Sequence, residues 1–428
     1  MTQSQRTRSY EVTRPNDPPS WAVDSTLYEI YVRGFTTEIG DQTIFDALIE
    51  RLDYLDNLGV DTLWLTPILE NDHAPHGYNI TDFFSIAEDL GDRADYERFV
   101  DAAHQRDMRV LFDLVMNHSA RAHPYFQAAS DNPDSEYYDW YNWRDDGNPE
   151  TYFGWEYIAN WNLENIEVRS HLLDVVDMWM EVADGFRCDM AWAVSNNFWQ
   201  ELRERVKRID PEFLLLDETI PYIADFHNGM FDIHFDTTLY FTLREIGKGS
   251  ADASALHDAI EQRATVGFPP HASFMLYLEN HDETRYIVEC GEKAARAAAG
   301  ALFTLPGVPM IYGGQEIGQQ GRRDPLVWEA ADETLHQYYT HLIELRNEIP
   351  ALGVQGGYEP VTEIDDQTTV GYKRTGEDDT YLCILNFGSD SQTVTPSVSV
   401  DPYDHVSEEV AASNRGLVVD SACVYRCD

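Results

Sequence analysis

Residues 185 to 191, Gly-Phe-Arg-Cys-Asp-Met-Ala, place an arginine two positions before an aspartate at the end of a short apolar run. Side chains at i and i+2 of a strand share a face, so Arg187 and Asp189 point the same way. A guanidinium beside a carboxyl favours the ionised form, the state a nucleophile needs. Other apolar runs end in similar residues: Asp113-Leu114-Val115-Met116-Asn117-His118, Asp217-Glu218-Thr219 and Glu279-Asn280-His281-Asp282. Acids and histidines delivered to one face from several strands suit nucleophilic and general acid–base chemistry.

The elements that must position them follow from periodicity. Short apolar, β-branched runs over 27–35, 61–66, 109–115, 185–190, 213–217, 231–235, 274–278 and 308–312 read as strands. Between them lie helical patterns over 44–57, 96–106, 168–180, 197–208, 253–264, 293–305 and 334–346. Eight strands alternating with helices predict a closed parallel (β/α)8 barrel, whose chemistry sits at the carboxyl ends of the strands. One connection, 118–162, is too long for a plain loop and is rich in aromatics: Tyr137, Tyr138, Trp140, Tyr141, Trp143, Tyr152, Phe153, Trp155 and Trp161. Flat rings with polar edges suit sugar rings, and about half of these are expected to form the segment's own core. After Arg346 and Pro350 the helical period gives way to antiparallel strands over 370–374, 380–387 and 393–400. The expected organisation is a tail over 1–20, a barrel over 21–350 with a subdomain inserted over 119–161, and a β domain over 351–428.

Charge narrows the partners and the setting. Asp+Glu 76 against Lys+Arg 30 gives a formal net charge of −46, and the lysines are Lys207, Lys248, Lys293 and Lys373. The acids are spread along the whole chain, and their repulsion is screened within about 3 Å at 1 M salt, so a molar-salt cytoplasm is expected. No basic patch meets phosphate, which excludes nucleic acid and anionic membrane as partners. Residues 1–20 carry Arg6, Arg8 and Arg14 without an apolar segment, hence no export signal is read there. Five cysteines, Cys188, Cys290, Cys383, Cys423 and Cys427, fit buried thiols in a reducing compartment. Cys423 and Cys427 lack a nearby second pair or histidine for zinc.

With the motifs in this order, the chain over 27–350 resembles the α-amylase family of retaining glycoside hydrolases, carrying all four signature motifs at barrel strands three, four, five and seven. The resemblance implies Asp189 as nucleophile, Glu218 as general acid/base and Asp282 as the carboxylate that grips the sugar and stabilises the transition state. It further implies that His118 and His281 hydrogen-bond the sugar and that Tyr78, in His76-Gly77-Tyr78-Asn79, stacks on it. Arg187 is expected to keep Asp189 charged, and Glu218, crowded by two acids, to hold its proton. No cofactor is needed for that chemistry. Relatives bind structural calcium through an asparagine matching Asn117, but Asn160 stands where an aspartate is expected and Trp192-Ala193 where a Lys-His pair is expected, so the metal is left unassigned. The absence of a preceding domain and the short insert favour a monomeric, endo-acting α-1,4-glucan hydrolase. Alternatives are an oligosaccharide-acting α-glucosidase or transglycosylase, which a cytoplasmic address suits better, and a non-catalytic sugar-binding relative.

Overall fold

The computed structural model describes residues 17–36, 40, 42–411 and 416–428; the expected tail lies, up to residue 16, outside them. Eight strands form a closed barrel: β1 (Leu27–Ile30), β2 (Thr62–Leu65), β3 (Arg109–Val115), β4 (Gly185–Asp189), β5 (Leu214–Asp217), β6 (Ile233–Phe235), β7 (Ser273–Leu276) and β8 (Val308–Tyr312). Each pairs in parallel with its neighbour in the chain, and β1 pairs with β8 to close the ring.

Period two decides what faces the barrel axis. Leu27, Trp64, Leu111, Leu214, Leu216, Ile233, Phe235, Met275 and Met310 form one buried cluster. The residues between them, such as Tyr28, Leu63, Phe112, Phe186 and Leu215, join the larger core with the helices. Two positions beyond Leu27 and Leu111 on the same inward face come Glu29 and Asp113, and beyond Gly185 come Arg187 and then Asp189. The barrel interior is therefore apolar at one end and charged at the carboxyl end.

Helices cover the barrel where capping and periodicity agree. Asp92 and Asp95 form a reciprocal capping box on Arg93–His104, and Asn165 and Asp332 cap Ile166–Met180 and Glu333–Glu348. Three expected elements differ. The first strand stops at Ile30 because Gly34 and Phe35 donate back to the Tyr31 carbonyl in a turn. The helix expected over 44–57 divides into Ile44–Ile49 and Leu52–Leu58, since the Arg51 amide bonds three residues back to Leu48 and tightens the turn. The strand expected over 393–400 divides into Gln392–Val394 and Val400–Asp404, which belong to different sheets; Pro396 lies between them and has no N–H for a ladder.

The carboxyl-terminal sheet has six antiparallel strands in the order Gly357–Pro360, Thr369–Thr375, Thr380–Asn386, Ala422–Cys427, Val400–Asp404, Glu409–Val410. It rests on the alanine-rich helix Glu292–Thr304, where a Cβ on Gly300 would lie 2.5 Å from the Ala422 Cβ. Only glycine permits that approach. No helix among the described residues is long and apolar enough to cross a membrane.

Candidate active site

Arg187 is the centre of the polar layer. It is fully buried on β4, and its Nη1 donates to Asp113 Oδ1 and Oδ2 at 2.8 and 3.0 Å and to Asp189 Oδ1 at 2.9 Å. Its Nη2 lies 2.8 Å from Glu218 Oε1, outside good hydrogen-bond alignment. The guanidinium also lies 4.8 Å from the Trp64 ring centre, while Trp64 Nε1 and the Tyr78 hydroxyl donate to Asp113 Oδ2 at 3.0 and 2.9 Å. One cation thus faces carboxyls from β3, β4 and the end of β5, and the aromatic floor fixes its plane.

Glu218 follows β5 and is held from the backbone. Met190, just beyond β4, has φ 45° and ψ 45°, a left-handed conformation that costs a side-chain-bearing residue about 1–3 kcal/mol. The turn aims the Met190 N–H at Glu218 Oε2, 2.8 Å away. Burial pushes both Asp189 and Glu218 upward, opposed by Arg187 and reinforced by Asp113 and Asp282. The guanidinium expected to keep Asp189 charged is shared with Asp113 and Glu218, and burial with the neighbouring acids raises both Asp189 and Glu218 above the ordinary carboxylate range.

Asp282 sits at the opposite side, with its side chain 47% exposed to the cleft. Arg323 Nη2 donates to its Oδ1, and His281 Nε2 lies 3.1 Å from its Oδ2. Burial would raise it, but His281 and then Arg323 hold it well below the usual carboxylate range. His281 itself is buried beneath the surface, stacked on Tyr78 at 5.2 Å between ring centres, with Nδ1 against Glu29. His118 is neutral, because burial pushes it down to about 4. Its Nε2 donates to the Tyr78 carbonyl at 3.2 Å, leaving Nδ1 to accept from Asn117 Nδ2 at 3.3 Å.

These groups border a cleft of about 560 Å³, a size suited to a small or oligomeric ligand. Tyr78, His118, Asp189, Glu218 and Asp282 line it, whereas Arg187 and His281 lie in the layer below. The inserted segment divides its aromatics by position. Tyr137, Tyr138, Trp140, Tyr141, Trp143 and Trp161 pack on one another or on neighbouring rings, while Tyr152, Phe153, Trp155 and Tyr157 form a cleft wall, Phe153 being 73% exposed. That wall is tied to the turn after β4 by a 2.6 Å hydrogen bond from Trp192 Nε1 to the Tyr152 hydroxyl.

Sequence reasoning assigned no role to Asp113, Glu29, Trp64 or Arg323. Period two from Leu111 and Leu27 was the available signal for the first two; Arg323 comes from a loop with no pattern. The two residues considered for calcium are neutral amides bonded to each other, Asn117 Nδ2 donating to Asn160 Oδ1 at 3.2 Å, so the pair brings no charge to a cation that favours carboxylate oxygens.

The barrel with acids at its carboxyl rim matches a known class: the chain belongs to the family whose model is described as alpha amylase, catalytic domain, which matches residues 29–349. Among relatives, it is 58% identical over 424 residues to alpha-amylase MalA of Haloarcula japonica, covering 97% of this chain and 64% of that protein. It is 30% identical over 426 residues to neopullulanase 2 of Thermoactinomyces vulgaris, covering 88% and 71%. Among solved structures, the alpha-amylase of Geobacillus thermoleovorans complexed with acarbose superposes with TM-score 0.82 at 26% identity, covering 95% of this chain and 99% of that one. A cyclomaltodextrinase superposes with TM-score 0.85 at 25% identity, covering 96% and 79%.

Proposed function

We propose that the chain is an endo-acting α-1,4-glucan hydrolase that works by retaining double displacement in high salt in the cytoplasm. The supporting observation is the Arg187 guanidinium, which meets Asp189 through Nη1 and Glu218 through Nη2. Two carboxyls on the two arms of one guanidinium are held as neighbours, as a retaining pair with a separation of about 5 to 5.5 Å requires. In this mechanism Asp189 attacks the anomeric carbon while Glu218 protonates the leaving oxygen. Glu218 then deprotonates the water that releases the sugar. In this mechanism the proton of the pair is placed on Glu218 at the outset: Arg187 Nη1 donates an aligned hydrogen bond to Asp189 Oδ1 but Nη2 meets Glu218 Oε1 outside good alignment, leaving Glu218 the Met190 N–H as its hydrogen bond. Asp282, kept negative, opposes the positive charge that grows on the sugar ring. Tyr78 supplies a stacking face, with His118 and His281 shaping the subsite.

The wall of four aromatic residues and the half-exposed Asp282 favour a long substrate, and the Haloarcula relative named alpha-amylase agrees with starch-like glucan. The relatives named neopullulanase 2 and cyclomaltodextrinase favour a second reading, an enzyme acting on short or cyclic oligosaccharides. Proton NMR of the first products distinguishes the stereochemistry: α-anomers appear first for retention, and β-anomers appearing first would overturn it. Asp189→Asn is expected to lower kcat by at least about 10⁴-fold while maltooligosaccharide still binds; retained turnover would remove Asp189 from the nucleophile role.

A further inference from the structure

Glu29 is a fully buried carboxyl for which the double displacement has no step. Its Oε1 lies 2.5 Å from His281 Nδ1 and accepts the His281 backbone N–H at 3.4 Å, and its Oε2 has no hydrogen-bond partner among the described residues. The other ring nitrogen of His281, Nε2, lies 3.1 Å from Asp282 Oδ2, within ion-pair distance but outside good hydrogen-bond alignment. A carboxylate only accepts hydrogen bonds, and a neutral imidazole carries one N–H. With an aligned carboxylate at Nδ1 and a second one 3.1 Å from Nε2, the ring meets both anions favourably only when both nitrogens are protonated. We infer that Glu29 is a positioning residue: from beneath the floor it holds His281 doubly protonated, and His281 in turn presents Asp282 to the sugar as an oriented, ionised carboxylate.

The surrounding charges have to be weighed from every side. Arg187 on β4 and Arg323, whose Nε donates to the His281 carbonyl at 2.8 Å, are cations that oppose a charged ring, as does His76 when protonated. Trp64 meets the ring edge-on and Tyr78 stacks on it, so neither donates to its nitrogens. Tyr312 on β8 stays neutral because burial and the Glu29 charge raise it. Against the two arginines stand Glu29 and Asp282 in direct contact with the ring. Burial would lower His281, yet Asp282 and Glu29 outweigh it and push the ring up to about 10. Glu29 is raised by burial, opposed by the His281 charge, so the stability of its anion depends on that contact. This role rests on the hydrolase assignment, because it matters only if Asp282 must remain negative as positive charge develops on a sugar.

The test uses the whole chain in molar KCl with ¹⁵N-labelled histidine, the His281 signals being assigned by their loss in His281→Gln. In the wild type both His281 ring nitrogens are expected to stay protonated through pH 8.5. In Glu29→Gln, which keeps the shape and removes the charge, the ring is expected to deprotonate at least one pH unit lower. The alkaline fall of kcat on soluble starch is expected to move down by the same pH interval as the ring, with KM little changed. Glu29→Asp, which keeps the charge at shorter reach, recovers part of both effects and serves if the glutamine variant folds poorly. His281 titrating alike in wild type and both variants, with parallel pH profiles, would overturn the inference. A wild type that cleaves no glucan, with the His281 shift present, would instead overturn the hydrolase assignment and leave the protonation by Glu29 established.

Discussion

At the residue scale the site is governed by one buried guanidinium divided among acids. Asp113 raises both Asp189 and Glu218 through its charge, so neutralising it frees Arg187 for the other two. Asp113→Asn is therefore expected to move the alkaline limb of the kcat/KM profile, set by loss of the Glu218 proton, down by about one pH unit. A limb that stays in place or moves up would show that Asp113 does not share the charge. The sequence carried the Arg187–Asp189 pair because period two is local. Asp113 joins through the pairing of β3 with β4, where Asp113 lies opposite Arg187. That register and the burial that raises Asp189 are tertiary properties, which no local spacing reveals.

At the element scale, two connections shape the cleft. The turn after β4 holds Met190 left-handed and Trp192 outward, and the inserted segment returns Tyr152 to meet it. Removing the acceptor in Tyr152→Phe leaves the indole N–H of Trp192 without its bond, a loss of about 1 kcal/mol. The expected result is a KM raised about fivefold on soluble starch with kcat nearly unchanged; an unchanged KM would detach this contact from substrate binding. All eight barrel strands were readable from apolar runs between turns. What was not readable depended on a bond to a distant partner or a local break: the turn after Ile30, the bend at Arg51, and the hairpin of Leu69–Asn71 with Ile80–Ile86, which carries Tyr78 toward the barrel. The eleven-residue helix Thr237–Gly247 was also missed.

At the scale of the whole molecule, charge is expected to decide the salt at which the fold is stable. With a net charge of −46, self-repulsion acts over about 30 Å at 0.01 M salt and about 3 Å at 1 M. The thermal midpoint is expected to rise by more than 10 °C from dilute buffer to 2 M KCl; equal midpoints would contradict the salt requirement. Acid acts through buried histidines. His118, His123 and His227 are each pushed down to about 4 by burial, below the unfolded value of about 6.5. Folding with these rings neutral contributes stability that is complete above about pH 6.5 and is lost as pH falls toward 4, up to about 3 kcal/mol for each ring. Denaturation at constant molar salt should show that loss, and His123→Phe, outside the cleft, should reduce its slope; an identical slope would assign the loss to carboxyls alone.

The measurement that bears most directly on the proposed activity is a time course in molar KCl on soluble starch and on maltose, following iodine colour and reducing ends together. Cleavage inside chains makes the colour collapse while few reducing ends have formed, and leaves maltose untouched. Persistent colour with consumption of maltose would contradict an endo-acting hydrolase and place the chain among enzymes of short oligosaccharides.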